Sequence, residues 1–127
     1  MYGDGRGVPQ DHETSAKLIK LAAEQGYAPA QYNLGMRYGF GKGVPKDYVY
    51  AYVWGSIALS KGLKTSNNLV VYHAKKLITA LEQDMSSRRI ESAKKQLAEC
   101  VRNKYKNCHP VAPKRIILQE DDEPEYD

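Results

Sequence analysis

An eleven-residue phrase occurs twice in this chain of 127 residues, as MYGDGRGVPQD at residues 1–11 and as RYGFGKGVPKD at residues 37–47. The copies lie 36 positions apart, and shifting the sequence by this distance aligns nine identical residues. A fixed period between 20 and 50 residues is typical of stacked supersecondary units. The identical pairs are Tyr2 and Tyr38, Gly3 and Gly39, Gly5 and Gly41, Gly7 and Gly43, Val8 and Val44, Pro9 and Pro45, Asp11 and Asp47, Ala22 and Ala58, and Gly26 and Gly62.

The segments that follow each phrase have the pattern of amphipathic helices. Asp11 and Asp47 stand directly before residues 12–26 and 48–62, in which apolar residues recur every three or four positions. An aspartate at this place caps a helix N-terminus. Residues 28–39 repeat the helical spacing, so each unit is predicted to be a helix, a glycine-rich turn and a second helix.

Several glycines have distinct predicted roles. Gly26 and Gly62 are predicted to end their helices, because glycine tolerates the left-handed backbone found there. Gly35 is predicted to permit close approach by a neighbouring helix. The glycine-rich phrase is not interpreted as a phosphate-binding loop, since Lys42 is followed by Gly43 rather than Ser or Thr and the preceding segment is helical. A tight turn between helices is the preferred interpretation.

The second phrase and its flanks contain the patterns A-x-x-x-L-G-x-x-Y and G-x-G-V, followed by further alanine, tryptophan and glycine positions. The residues concerned are Ala30, Leu34, Gly35, Tyr38, Gly41, Gly43, Val44, Asp47, Ala51, Trp54, Ala58 and Gly62. This combination resembles the Sel-one-like repeat (SLR) family, a relative in architecture of the tetratricopeptide repeats. The resemblance implies an all-α fold, a right-handed α/α superhelix of antiparallel helix pairs that binds proteins or peptides.

The resemblance also implies a division of the chain. We expect an SLR domain at residues 1–108, which consists of a half repeat at 1–27, a complete repeat at 28–62 and a C-terminal capping helical hairpin at 66–108. Residues 109–127 are expected to form a flexible acidic tail.

The first phrase coincides with the start of the chain, where the last turn of a preceding helix is expected. Three explanations remain open: a longer natural protein, an internal start, or a second copy that covers the exposed face of helix 12–25. The third makes a homo-oligomer through the N-terminal half repeat a prediction.

The charge is unevenly distributed although the net charge is only +4. Residues 61–115 hold 13 basic and 4 acidic side chains, whereas residues 116–127 hold no basic and 6 acidic ones. Weak nucleic-acid binding is an alternative function, although basic residues are usually the solvated faces of amphipathic helices and the acidic tail could neutralise them. The basic stripe in question contains Lys75, Lys76, Arg88, Arg89, Lys94, Lys95, Arg102 and Lys104.

Cys100 and Cys108 are the two cysteines of the chain, and their spacing bears on whether they form a disulfide. On a straight helix, eight residues span about 12 Å, beyond the roughly 7 Å Cα limit of a disulfide, so a bridge requires the chain to turn back near residues 103–107. Paired cysteines at similar spacing occur in secreted, cysteine-rich members of the family. We predict a Cys100–Cys108 disulfide rather than two free thiols, with a periplasmic or secreted location if it forms and a cytoplasmic one otherwise. A zinc site is not predicted, because His109 adjoins Cys108 without a fourth ligand.

Partner binding is predicted on the first helix of the complete repeat. By analogy with tetratricopeptide repeats, the residues that face the concave groove are Tyr32, Asn33 and Met36, with Arg37 beside them. Tyr32 has an equal alternative, which is packing on the next helix. Trp54, Tyr50 and Tyr52 are predicted to pack in the core or between repeats.

No catalytic machinery is predicted. His12, His73 and His109 are scattered, and none has the sequence context of a base or ligand. No cofactor motif occurs, and no run of about 18 apolar residues predicts a membrane span. The predicted function is therefore a non-enzymatic interaction or adaptor module for an unidentified protein or peptide. A secreted, enzyme-like relative that binds cell-wall components or β-lactams is the alternative class.

Overall fold

The computed structural model describes residues 12–106 and 108–110. It contains five helices, and no strand occurs among these residues, which confirms the predicted all-α fold. The helices are α1 (His12–Glu24), α2 (Ala28–Phe40), α3 (Tyr48–Lys64), α4 (Asn68–Asp84) and α5 (Ser87–Arg102). The first glycine-rich phrase and most of the predicted acidic tail lie outside the described residues, and the division into domains stays a prediction.

Helix α3 is the central element of the fold. It packs against α2, α4 and α5, while α1 packs on α2, and α2 also touches α4. Gly35 lies where α2 and α3 come closest: a Cβ atom there would stand 3.1 Å from the backbone nitrogen of Gly55 and 3.2 Å from the carbonyl oxygen of Ala51. The predicted close approach at Gly35 is therefore present, because a side chain would separate the two backbones.

The glycine-rich turn between α2 and α3 has the predicted compact form. Gly41 and Gly43 adopt left-handed φ angles of 72° and 78°, and the Gly41 N–H donates to the Arg37 carbonyl at 2.7 Å. Val44 is buried beneath the turn. Asp47 caps α3, since its side chain accepts a hydrogen bond from the Tyr50 N–H at 3.0 Å.

The two predicted helix-ending glycines behave differently. Gly26 follows α1 with a φ of 94°, as expected for a residue that ends a helix. The prediction for Gly62 is wrong, because α3 continues to Lys64 and the left-handed residue is Ser66, with a φ of 56°. Gly62 is buried inside α3, where a Cβ atom would meet the Val70 and Val71 side chains at 3.2 and 3.1 Å. Its role is close packing of α3 on the start of α4.

The core is centred on aromatic residues of α2 and α3. Trp54, Tyr38, Leu34 and Val53 are the largest fully buried apolar side chains, and Tyr52 is also buried. Burying an aromatic residue of this size contributes on the order of 2–3 kcal/mol. Trp54 and Tyr52 thus have the packing role that the sequence predicts.

The left-handed backbone of Ser66, which follows α3, can be tested by substitution. Because Ser66 occupies a conformation that glycine adopts without steric cost, Ser66→Gly should raise the free energy of unfolding by about 0.5–1 kcal/mol. The matched control is Ser60→Gly, an exposed position inside the same helix, which should lower it by about 0.5 kcal/mol. Urea denaturation followed by circular dichroism measures both, and equal effects of the two substitutions would contradict the assigned helix end.

Candidate functional site

The chain reverses direction after α5 and is fastened by a disulfide. Two consecutive residues, Lys104 and Tyr105, have left-handed φ angles of 56° and 70°. Cys100 and Cys108 are bonded, with their Cα atoms 5.4 Å apart, which confirms the predicted bridge. Both cysteines are buried. We call residues 105–106 and 108–110 the C-terminal strap, because they return from α5 across the other helices.

The C-terminal strap packs on Trp54 of α3. Its indole N–H donates to the Cys108 carbonyl oxygen at 2.9 Å, so the buried indole has a hydrogen-bond partner. The His109 ring stacks on the indole with centroids 5.9 Å apart, and the Tyr105 ring lies at 6.3 Å. The strap is therefore joined to α3 by a backbone hydrogen bond and two ring contacts.

His109 links the strap to two further helices. Its Nε2 lies 2.9 Å from the Glu24 Oε2 of α1, and its Nδ1 lies 3.0 Å from the Tyr38 hydroxyl of α2. A carboxylate only accepts hydrogen bonds, so Nε2 carries a proton, and in the tautomer that is protonated at Nε2 alone Nδ1 accepts a hydrogen bond from the Tyr38 hydroxyl. One imidazole thus connects α1, α2 and the strap.

The hydrogen bonds of Glu24, His109 and Tyr38 connect helices, and the phenol among them is held in its protonated form. Tyr38 is almost completely buried, and this burial raises the pKa of its phenol well above the ordinary value of 10.0. The charges of Asp47, Tyr50 and Glu24 raise that pKa further. A phenol in this setting stays protonated at neutral pH, and its hydroxyl serves as a hydrogen-bond donor to His109.

The disulfide should contribute measurably to stability. Replacing both cysteines, as in Cys100→Ala with Cys108→Ala, should lower the free energy of unfolding by about 2–3 kcal/mol, because the open chain regains loop entropy when unfolded. The readout is urea denaturation followed by the fluorescence of Trp54, the single tryptophan of the chain. Lys106→Ala, an exposed change within the same loop, is the control and should shift stability by less than about 0.5 kcal/mol. An unchanged double variant would contradict a stabilising bridge.

Tyr38 should make stability decline in alkali. Because the folded state raises the pKa of this phenol, the unfolded chain releases its proton first, so the contribution is complete below pH 10 and is lost as the pH rises above it. Each such group gives a slope of up to about −1.4 kcal/mol per pH unit. Tyr38→Phe should be less stable at pH 8 by about 1 kcal/mol yet show a shallower decline above pH 10. Tyr27→Phe, at an exposed tyrosine, should leave the slope unchanged.

A second surface lies on the sides of α2 and α4 that are turned away from α3. On α2 it carries Asn33, Met36, Arg37 and Phe40, which are exposed or half-buried and lie three or four positions apart. The Arg37 Nε donates to the Asn33 Oδ1 at 3.1 Å. These residues are on the side of the helix opposite Leu34 and Gly35, which pack inward.

The α4 part of this surface is a shallow depression. It is lined by residues that share one exposed side of the helix: Tyr72, Lys75, Lys76, Thr79, Ala80 and Gln83. The opposite side of α4, with Val70, Ala74 and Leu81, is buried. Both helices pack on α3 and also touch each other, with the Tyr32 ring of α2 against the His73 ring of α4, so their open sides are neighbours. We call them together the α2–α4 face.

The α2–α4 face is basic and partly aromatic. Arg37, Lys75 and Lys76 form no ion pair with any carboxylate in the described part of the chain. The Lys76 ammonium lies over the Tyr72 ring, 5.1 Å from its centroid, and donates to the Tyr72 hydroxyl at 3.3 Å. Cations without acidic partners beside an exposed aromatic ring are available for a ligand.

The predicted groove residues separate into two groups. Asn33, Met36 and Arg37 lie on the α2–α4 face, whereas Tyr32 is turned sideways and packs against His73 of α4, with ring centroids 5.7 Å apart. Tyr32 therefore packs between helices, which is the alternative to groove binding that the sequence analysis gives for it. Partner binding by all four residues stays a prediction.

The sequence prediction missed Tyr72 and did not assign Lys75 and Lys76 to the groove. Lys75 and Lys76 come 39 positions after Met36 and Arg37, whereas Tyr72 comes 39 positions after Asn33 and 36 after Met36. The offset differs from the 36-residue period because α3 extends past Gly62, and α4 begins at Asn68, 40 positions after the start of α2 at Ala28. Comparison of exposed helix positions at a 39-residue offset is the signal that could have found them.

The face of α1 predicted as an oligomer contact is exposed in the described chain. Leu18 and Leu21 are 63% and 59% exposed, whereas the residues 36 positions later, Trp54 and Ile57, are buried. Oligomerisation through this face stays a prediction.

The predicted basic stripe is divided between two helices. Lys75 and Lys76 belong to the α2–α4 face, and the other six residues lie on α5 and the turn after it. The exposed part of α5 also carries Glu91 and Glu99.

A Ser-x-x-Lys sequence, the order found in serine β-lactamases, occurs at residues 92–95, and both of its end residues are exposed on α5.

Membrane-spanning helices and metal sites are both absent from the described residues. Within residues 12–106, no helix is long and apolar enough to cross a bilayer. Among the described side chains, no group of three or more His, Cys, Asp or Glu residues is arranged to hold a metal ion.

The repeat register and the helix pairing agree with a known family. The model of the Sel1 repeat matches residues 1–27 and 28–63, and the chain belongs to the Sel1-like repeat family. Its fold is that of a tetratricopeptide-like helical solenoid. No curated protein and no solved structure gives a significant match. Sel1 repeats are generally protein-interaction modules, and solenoids of this kind are typically non-enzymatic.

Proposed function

We propose that this chain is a protein-interaction module that binds a segment of a partner protein on the α2–α4 face. The observation that carries the proposal is a pair of adjacent helices that expose polar and aromatic groups together with cations that have no carboxylate partner among the described residues. Helical repeat arrays use such surfaces, because the residues that pack the array leave the other side of each helix free. The proposed contacts are Asn33, Met36 and Arg37 of α2 with Tyr72 and Lys76 of α4.

The chemistry of the face suits a peptide. Tyr72 offers a rigid aromatic surface, Met36 an adaptable thioether, and Asn33 both a donor and an acceptor for a peptide backbone. Tyr32 contributes indirectly, because its contact with His73 sets the spacing of α2 and α4. Aromatic residues and arginine dominate the energetics of protein interfaces.

The opposite surface is closed by the strap. Trp54, the largest buried side chain, is covered by Cys108 and His109 and is not accessible to a partner. Unlike that surface, the α2–α4 face is not covered by the strap.

The test is selection of binding peptides from a random phage-displayed library on the immobilised chain. Selected peptides should bind with micromolar dissociation constants, and the triple variant Asn33→Ala, Arg37→Ala, Tyr72→Ala should weaken them at least about tenfold, which corresponds to about 1.4 kcal/mol. The matched control replaces three exposed α5 residues, Arg88→Ala, Lys94→Ala and Lys95→Ala, and should change affinity less than about twofold. Circular dichroism establishes that the variants are folded.

Two results would reject this function. One is the absence of any peptide whose binding is sensitive to the α2–α4 face. The other is loss of binding in the α5 variant with retention in the triple variant of the face.

A further inference from the structure

The charges of this chain fall into two blocks of opposite sign. All 19 basic residues lie within residues 1–119, together with nine acidic ones, whereas residues 120–127 carry six acidic residues and no basic one. The first block therefore has a formal net charge of +10 and the second of −6. Oppositely charged blocks within one chain attract each other at ionic strengths where the Debye length is about 8–10 Å.

The α2–α4 face combines positive charge with exposed apolar surface. It presents Arg37, Lys75 and Lys76 without a carboxylate among its residues, and Phe40 and Tyr72 are 65% and 55% exposed. The cations of α5 are interspersed with Glu91 and Glu99, and the large exposed apolar residue there is Val101. A segment that is both acidic and aromatic, such as EDDEPEYD at residues 120–127, is complementary to the α2–α4 face in both respects.

The strap ends beside α2, on the side of this helix that packs inward. His109 is hydrogen-bonded to the buried Tyr38 of α2. Nine residues separate Pro110 from Glu120, and an extended chain of nine residues spans about 30 Å. A helix with its side chains is about 10–12 Å in diameter. The connecting residues are therefore long enough to pass around α2 and bring residues 120–127 to the α2–α4 face.

We propose that residues 120–127 dock on the α2–α4 face as an internal acidic ligand. The inference depends on the proposed function, because it assigns an occupant to the same face. A tethered segment has an effective concentration in the millimolar range, so the internal ligand competes with partner segments and sets the affinity that a partner must exceed. Partners of similar acidic and aromatic chemistry are those best able to replace it.

The experiment measures binding of a fluorescein-labelled synthetic peptide, residues 119–127, to the full-length chain by fluorescence anisotropy. In a tail-neutral variant the six carboxylates are removed and the chain length is kept. This variant should bind the peptide at least tenfold more tightly than the parent chain, because its own tail no longer competes. The substitutions are Glu120→Gln, Asp121→Asn, Asp122→Asn, Glu123→Gln, Glu125→Gln and Asp127→Asn.

The location of the site is tested in the tail-neutral background. Adding Arg37→Ala, Lys75→Ala and Lys76→Ala should weaken peptide binding at least tenfold, whereas adding Arg88→Ala, Lys94→Ala and Lys95→Ala should change it less than threefold. Raising the salt concentration from 50 mM to 500 mM should weaken binding at least tenfold, because the contacts are ionic. Both triple variants remove three cations, so a difference between them reports position rather than net charge.

Three outcomes would overturn the proposal: no peptide binding to the tail-neutral chain at 50 mM salt, equal binding to the parent and tail-neutral chains, or a greater loss in the α5 variant. The peptides selected from the phage library distinguish these from failure of the proposed function. If those peptides still bind the α2–α4 face, only the internal ligand is wrong. If they do not, the face is not a binding site.

Discussion

The contact between Trp54 and the C-terminal strap joins most of this molecule together. The indole is fully buried in α3, its N–H is satisfied by the Cys108 carbonyl at 2.9 Å, and its ring is stacked with His109. The disulfide attaches that carbonyl to α5, and His109 extends the connection to Glu24 of α1 and Tyr38 of α2. Four helices are thus linked through the strap that lies on this one aromatic side chain. An array with few repeats gains rigidity from such a tie, because each helix otherwise contacts only its neighbours.

The strap and the α2–α4 face divide the surface between structure and recognition. The strap covers a buried aromatic cluster whose hydrogen bonds are satisfied and whose phenol stays protonated. The α2–α4 face has the opposite character, since its cations lack acidic partners among the described residues and its aromatic side chains are exposed. A rigid array is useful for binding because the exposed side chains are held at constant spacing, and less entropy is lost when a partner is bound.

Much of the fold was predictable because its signals are local. The Asp47 cap, the glycine turn with Val44 beneath it and the close approach at Gly35 each follow from residues near in sequence. The candidate surface was predictable only in part. Asn33, Met36 and Arg37 were predicted by analogy with tetratricopeptide repeats, but Tyr72 and Lys76 were not placed beside them, because α3 continues past Gly62 and α4 begins 40 positions after α2. Glycine permits a left-handed backbone without requiring it, and packing of Gly62 on Val70 and Val71 favours the helical form.

The sequence by itself determined the helical class and the 36-residue unit, because caps, glycine turns and apolar periodicity act over short stretches of chain. Tertiary structure alone decided that His109 joins Glu24 and Tyr38, which are 85 and 71 positions away. It also decided that Tyr32 turns toward His73 rather than toward solvent. These outcomes depend on how helices distant in sequence stack, and the free energy of that stacking comes from burial and hydrogen-bond satisfaction across the whole array.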